Sequence, residues 1–234
     1  MTVAQNIGLI QHRIATAAQR AGRRPENITL MAVSKTFPPE LIREAYQTGL
    51  RHFGENRVQE FAEKIQSLGD LQDAEWHMIG HLQSNKAARA TELFAAMDAV
   101  DSLRMAKKLN DSAQQLGKKL SALIEINVGG EVAKNGLSFD APELETLLRA
   151  APRLENLEFH GLMTVPPYFE DPQLARPYFR KLRELRDRIA AQNLQTISMD
   201  VLSMGMSHDF EIAIEEGSTC VRVGTAIFGK RSPL

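Results

Sequence analysis

Strand-like and helix-like stretches alternate about eight times along this chain, with no linker between them. The apolar runs are "ITLMAVSK", "RHFGEN", "EWHMIG", "MDAVDS", "SALIEINVG", "LEFHGLMTV", "ISMDVLSMG" and "CVRVGTAIFG". Helical spacing fills 39–48, 57–68, 85–95, 102–115, 141–150, 173–192 and 209–216. In 57–68, Val58, Phe61, Ala62 and Ile65 share one face while Glu60, Glu63 and Lys64 fall on the other. Asp171-Pro172, and Ser207 with Asp209, read as helix starts. The proline-rich stretch 164–173 reads as a surface loop. Such alternation dictates a parallel sheet covered by helices. About eight units in 234 residues predict an α/β fold, a (β/α)8 TIM-type barrel occupying 1–234 as one domain. The alternative, a doubly wound open sheet, is disfavoured because no G-x-G-x-x-G follows the first strand and no P-loop occurs. Val3, Ile7, Ile10 and Ile14 add an amphipathic N-terminal helix over about 3–21.

Charge and cysteine content narrow the partners. Twenty-eight basic residues against 29 acidic ones leave a formal net charge of -1, which lacks the basic excess of a nucleic-acid binder. The pairs Lys118-Lys119 and Lys230-Arg231 are too short to change that and read as solvated. The only cysteine, Cys220, permits no internal disulfide and fits a reducing compartment. Its apolar surroundings make it a core residue rather than a nucleophile. No apolar stretch is long enough to cross a bilayer, and no signal-peptide core is present. Arg13, Arg20, Arg23 and Arg24 superficially resemble a transit peptide, but the amphipathic helix accounts for them better. A cytoplasmic monomer is the expectation.

In a barrel, chemistry gathers where strands end and the following loops begin. The first strand ends on Lys35, which reads either as a solvated strand end or as an amine delivered to the barrel mouth. The second ends at Glu55 and Asn56, the third carries His77, and the sixth carries His160 and Met163. "SMGMS" places Gly205, Met206 and Ser207 before a helix, and the last strand contains "RVGT", with Gly224 and Thr225. Alone, Ser207 could simply cap its helix and Gly224 ease a bend. Together, after adjacent strands, they match the usual position of a barrel phosphate site. Arg222 interrupts an apolar strand, and by alternation it faces away from Val221 and Val223, into the barrel. A guanidinium there needs a partner or a ligand. Lysine, anion site and inward arginine together suit a phosphorylated carbonyl compound such as pyridoxal 5′-phosphate. No metal site is expected: His77 and His81 have H-x-x-x-H spacing, but on a strand, and no H-E-x-x-H glutamate accompanies them.

The motifs "AVSKT", "HFGEN", "WHMIGHLQSNK", "HGLMTV", "SMGMS" and "EGSTCVRVGTAIFG" resemble, in order and over nearly the whole chain, the pyridoxal phosphate homeostasis protein family. The resemblance implies the alanine-racemase-like barrel of fold-type III pyridoxal phosphate enzymes. It implies an internal aldimine on Lys35, with Arg222 facing the pyridine nitrogen and Ser207, Gly224 and Thr225 holding the phosphate. Asn56 would line the ring, Met204 would pack near it, and Ser203 is a weaker phosphate candidate than Ser207. Relatives often carry a further lysine shortly after "SKT"; this chain has Phe37 and Pro38 there. Lys134 matches a lysine of relatives and reads as an exposed loop residue or a secondary aldehyde acceptor.

The resemblance leaves an enzyme or a carrier. Fold-type III racemases complete their site with a second domain, for which a barrel of this length leaves no room. Tyr46, Tyr168 and Tyr178 all fall within the barrel pattern. An arginine at the pyridine nitrogen would blunt the ring as an electron sink. The expectation is therefore a non-catalytic protein of intracellular vitamin B6 homeostasis, affecting amino-acid metabolism, with pyridoxal phosphate-dependent apoenzymes as recipients. The alternatives are an amino-acid racemase and a Schiff-base aldolase.

Overall fold

Each apolar run becomes a parallel strand, because each is separated from the next by a helix long enough to return the chain to the same end of the sheet. The structure is a computed structural model describing residues 1–131, 134–194 and 196–230. Arg231 of the short basic tail lies outside the described residues. After α1 (Val3–Arg20) come β1 (Thr29–Val33), α2 (Pro39–Gln47), β2 (His52–Glu55), α3 (Val58–Lys64), β3 (Glu75–Met78), α4 (Ala87–Leu93), β4 (Ala96–Val100) and α5 (Leu103–Gln115). The chain continues through β5 (Leu120–Asn127), β6 (Leu137–Ser138), α6 (Pro142–Ala150), β7 (Leu157–Met163), α7 (Arg176–Ala190), β8 (Ile197–Ser203), α8 (Phe210–Glu215), β9 (Cys220–Val223) and α9 (Thr225–Phe228).

The strands run in the order β4-β3-β2-β1-β9-β8-β7-β5, and β4 pairs with β5 to close the ring. All of these pairings are parallel. The result is a closed eight-stranded barrel ringed by helices. The two-residue β6, which the alternation does not announce, adds to the edge of β5 through Ile126↔Leu137.

Alternation sorts the side chains into two layers. Phe53, Trp76, Phe61 and Phe94 pack between strands and helices, with ring centroids 4.6–5.0 Å apart. Ala99, Leu123 and Met163 form a separate, smaller cluster with Val201 inside the barrel. Helix α1 buries Val3, Ile7, Ile10 and Ile14, each worth on the order of 1.5–3 kcal/mol of apolar burial. A Thr2/Gln5 capping box starts the helix, and Asn6 Nδ2 donates to the Ile227 carbonyl oxygen at 2.8 Å.

Two expectations need correction. The last strand does not run to Gly229: it stops at Val223, where Gly224 leaves the extended region (φ -114°, ψ -77°). The N–H groups of Ile227 and Phe228 then bond back to the Gly224 carbonyl oxygen and make a helical turn. Lys64, assigned to the solvated face of its helix, is buried. Two carboxylates and a carbonyl draw its ammonium inward, as the site geometry shows.

Candidate functional site

The C-terminal ends of β1, β8 and β9 converge. Lys35 sits in the turn that follows β1, whose Thr29 and Met31 line the lumen. It is half-buried. The turn that carries it is held by a buried polar network. Ser34 Oγ donates to Glu55 Oε1 at 2.7 Å, and Lys64 Nζ donates to the same oxygen at 2.9 Å and to the Ser34 carbonyl oxygen at 3.1 Å. Glu60 Oε1 accepts from Lys64 Nζ at 3.0 Å and from the Thr36 N–H at 2.6 Å. Thr36 sits at φ 66°, a left-handed conformation rare for a β-branched residue, and the Glu60 bond fixes it there. Burial raises the pKa of Glu55, against the pull of Lys64. Glu55 thus serves the turn rather than the lumen.

Beside β1 lies β9, with Met31 opposite Arg222 and Ala32 opposite Val223. A Cβ on Gly224 would come within 3.2 Å of the Val33 carbonyl oxygen, so glycine permits the close approach of the two strand ends. The next residue, Thr225, donates through Oγ1 to Ser207 Oγ at 3.3 Å. Ser207 does not cap α8; Asp209 occupies that position and accepts the Met206 N–H at 2.6 Å. Gly205, at φ 93°, turns the chain from β8 into this loop where a side chain would strike Phe210 and Ala213. The expected anion-site residues Ser207, Gly224 and Thr225 are therefore brought together next to the strand that bears Lys35.

Arg222 faces the lumen and is buried. Its guanidinium donates through Nη1 to Ser203 Oγ and through Nη2 to the Thr164 carbonyl oxygen, both at 2.7 Å. Burial lowers its pKa, and the carboxylates of Asp98, Glu125 and Asp209 act against that from longer range. Among the described residues no carboxylate forms an ion pair with it. Asn56 follows β2 against the backbone of Gly80, and its Oδ1 is buried without a hydrogen-bond partner among the described residues. Met204 is fully buried and belongs to the apolar layer between barrel and helices, not to the lumen cluster. Lys134 lies in the loop after β5, paired with Glu131 at 2.7 Å. Cys220 is buried and free, and burial pushes its thiol up to about 12, as befits an inert core residue.

Glu125 escaped the reading of the sequence. It interrupts "LIEIN" as Lys35 and Arg222 interrupt their strands, and it shares the parity of the lumen residues Ser121 and Leu123. Its Oε2 is buried and unpartnered among the described residues. Burial, reinforced by Asp101, raises its pKa to about 7, with Arg222 and His81 opposing. A charge inside an apolar strand was the available signal.

Residues 6–232 match the family model described as alanine racemase, N-terminal domain. A pyridoxal phosphate homeostasis protein of Aquifex aeolicus is 46% identical over 231 residues, covering 99% of both chains. That of Escherichia coli is 42% identical over 231 residues, covering 98% of this chain and 97% of the relative. Among solved structures, PipY of Synechococcus elongatus with PLP bound superposes with a TM-score of 0.84 at 34% identity, covering 97% of this chain and all of that one. An alanine racemase of Clostridium difficile shares the fold at TM-score 0.72 and 15% identity, with 58% of its own length covered. The chain belongs to the pyridoxal phosphate homeostasis proteins, within the family of the alanine racemase N-terminal domain.

Proposed function

We propose that this protein holds pyridoxal 5′-phosphate through Lys35 at the C-terminal mouth of the barrel and serves intracellular vitamin B6 homeostasis without turning over a substrate. One observation carries the reading: Gly224 joins Val33, two residues before Lys35, to the Thr225–Ser207 hydroxyl pair. An amine and an anion cradle thereby share one wall. When bound, the group supplies an aldehyde that reacts reversibly with amines, a pyridine ring and a phosphate dianion. The residues present fit it. Asn56 Oδ1 and Glu125 Oε2 are buried oxygens that a polar ligand would satisfy. Ser207, Thr225 and the first-turn N–H groups after Gly224 suit the phosphate. Arg222 suits the ring nitrogen and Asn56 the ring, while Met204 backs this wall from the apolar layer.

A permanently charged guanidinium at the ring nitrogen disfavours its protonation, which supports binding over catalysis. The names of the relatives point the same way. Recipients would be pyridoxal phosphate-dependent apoenzymes, and the protein would act as a cytoplasmic monomer. No described helix is long and apolar enough to cross a membrane.

The test is a visible spectrum of purified protein loaded with pyridoxal phosphate, before and after borohydride, followed by mass mapping. Reduced pyridoxyl label on Lys35 is expected, with Lys35→Ala folded but unlabelled there. Label mainly on another lysine overturns the assignment. Sustained turnover of free amino acids would instead favour the racemase reading.

A further inference from the structure

The opposite end of the barrel holds a second polar site. A cavity of about 380 Å³ opens among the first residues of the strands, lined in part by Thr29, His52, Glu75, His77, Asp98 and His160. Barrel chemistry belongs to the other face, so nothing in the Lys35 site accounts for this cluster. The strand register builds it: His52 lies opposite Glu75, and the lumen-facing positions of β3 are Glu75 and His77.

Three ligand-type atoms converge there. His52 Nδ1 is 3.4 Å from His77 Nε2 and 3.4 Å from Glu75 Oε2, and His77 Nε2 is 4.0 Å from Glu75 Oε2. A tetrahedral ion with bonds of about 2.0–2.1 Å spaces its ligand atoms about 3.4 Å apart. Two edges already have that length. The third needs only a small movement of the exposed Glu75 side chain. Behind the ring, His77 Nδ1 lies 3.1 Å from Asp98 Oδ1, and Asp98 is almost fully buried. A carboxylate that takes the Nδ1–H of a histidine leaves its Nε2 lone pair directed forward, the usual arrangement behind a metal-binding imidazole. Asp98 Oδ2 has no other partner among the described residues.

The geometry points to a divalent transition-metal site of zinc type formed by His52 Nδ1, Glu75 Oε2 and His77 Nε2, with Asp98 as a positioning residue. The fourth position opens into the cavity, where water completes the tetrahedron. This replaces the H-x-x-x-H pair considered from sequence, because His81 instead faces Asp101 at 2.8 Å, beyond the C-terminal end of β3. Binding by imidazole and carboxylate favours Zn²⁺ or Co²⁺ over Mg²⁺ or Ca²⁺.

Untagged, chelator-treated protein titrated with Zn²⁺ in a calorimeter should take up one equivalent per chain. Co²⁺ should produce the visible bands of a four-coordinate ion. His52→Ala and His77→Ala should each abolish both signals, and Asp98→Asn should keep the stoichiometry while weakening affinity about 10- to 100-fold. Should His77→Ala not fold, the half-exposed His52→Ala carries the same test. Borohydride labelling of Lys35 should be unchanged in His52→Ala, which separates this site from the cofactor site. No saturable equivalent, or binding that survives His52→Ala, overturns the proposal.

Discussion

Arg222 reaches across β8 to the end of β7: its Nη2 donates to the Thr164 carbonyl oxygen at 2.7 Å while Nη1 holds Ser203 Oγ at the same distance. One planar fork thereby fixes the ends of two neighbouring strands beside the candidate site. Truncation leaves both acceptors buried without a donor. Arg222→Ala should cost about 2 kcal/mol in urea unfolding and should also lower retention of pyridoxal phosphate. Arg222→Lys should recover little of either, because an ammonium cannot span both acceptors in the same plane. Unchanged stability in Arg222→Ala would show that the fork does not brace the strands.

Glu125 should make stability depend on pH near neutrality. Its pKa rises from 4.5 to about 7 on folding, so the folded state holds the proton more tightly than the unfolded chain. The contribution is fully present below about pH 4.5 and is lost as pH rises through about 7. At 1.36 kcal/mol per pH unit the ionised form carries a cost of about 3 kcal/mol. Glu125→Gln should therefore gain stability over the parent between pH 5 and 8, by up to that amount. Urea midpoints of both proteins across that range test it; a difference independent of pH would place Glu125 in water.

Ser207 and Thr225 should discriminate by phosphate. Their hydroxyls meet at 3.3 Å next to the backbone of Gly224. Ser207→Ala should weaken retention of pyridoxal phosphate several-fold and leave retention of unphosphorylated pyridoxal nearly unchanged. Equal loss of both would leave Ser207 without a role in anion binding.

Lys64 should act on Lys35 at a distance. Its removal strands Glu55, which is fully buried and shares its Oε1 between Lys64 and Ser34. Lys64→Met should cost about 3 kcal/mol, as expected when one member of a buried ion pair is lost. The double variant Lys64→Met/Glu55→Gln should recover much of that stability but still label Lys35 more slowly, because the Ser34 carbonyl oxygen loses its Lys64 donor and Glu60, which holds the Thr36 N–H, loses its ammonium partner. Full labelling rate in the double variant would show that the turn holds itself.

Sequence alone determined the barrel, because the periodicity of apolar residues is a local property. Strands and helices follow from spacing within a dozen residues, and about eight such units without a dinucleotide loop or P-loop fit a closed barrel better than an open doubly wound sheet. The inward Arg222 was legible for the same reason, as strand alternation fixes which side chains share a face. The motifs that mark Lys35, Ser207, Gly224 and Thr225 were also legible.

Tertiary structure decided what depends on register and on contacts far apart in the chain. Lys64 lies on the polar face of its helix by spacing, yet it turns inward because Glu55 of β2 waits beneath it at 2.9 Å. The strand after Cys220 ends at Val223 because Gly224 must pass close to the Val33 carbonyl oxygen, a residue about 190 positions earlier. His77 pairs with His52 and Asp98 rather than with the nearby His81, since register sets His52 opposite Glu75, beside the strand that carries His77. Local spacing carries no information about which strand becomes a neighbour at which step. Those distances exist only once the ring closes.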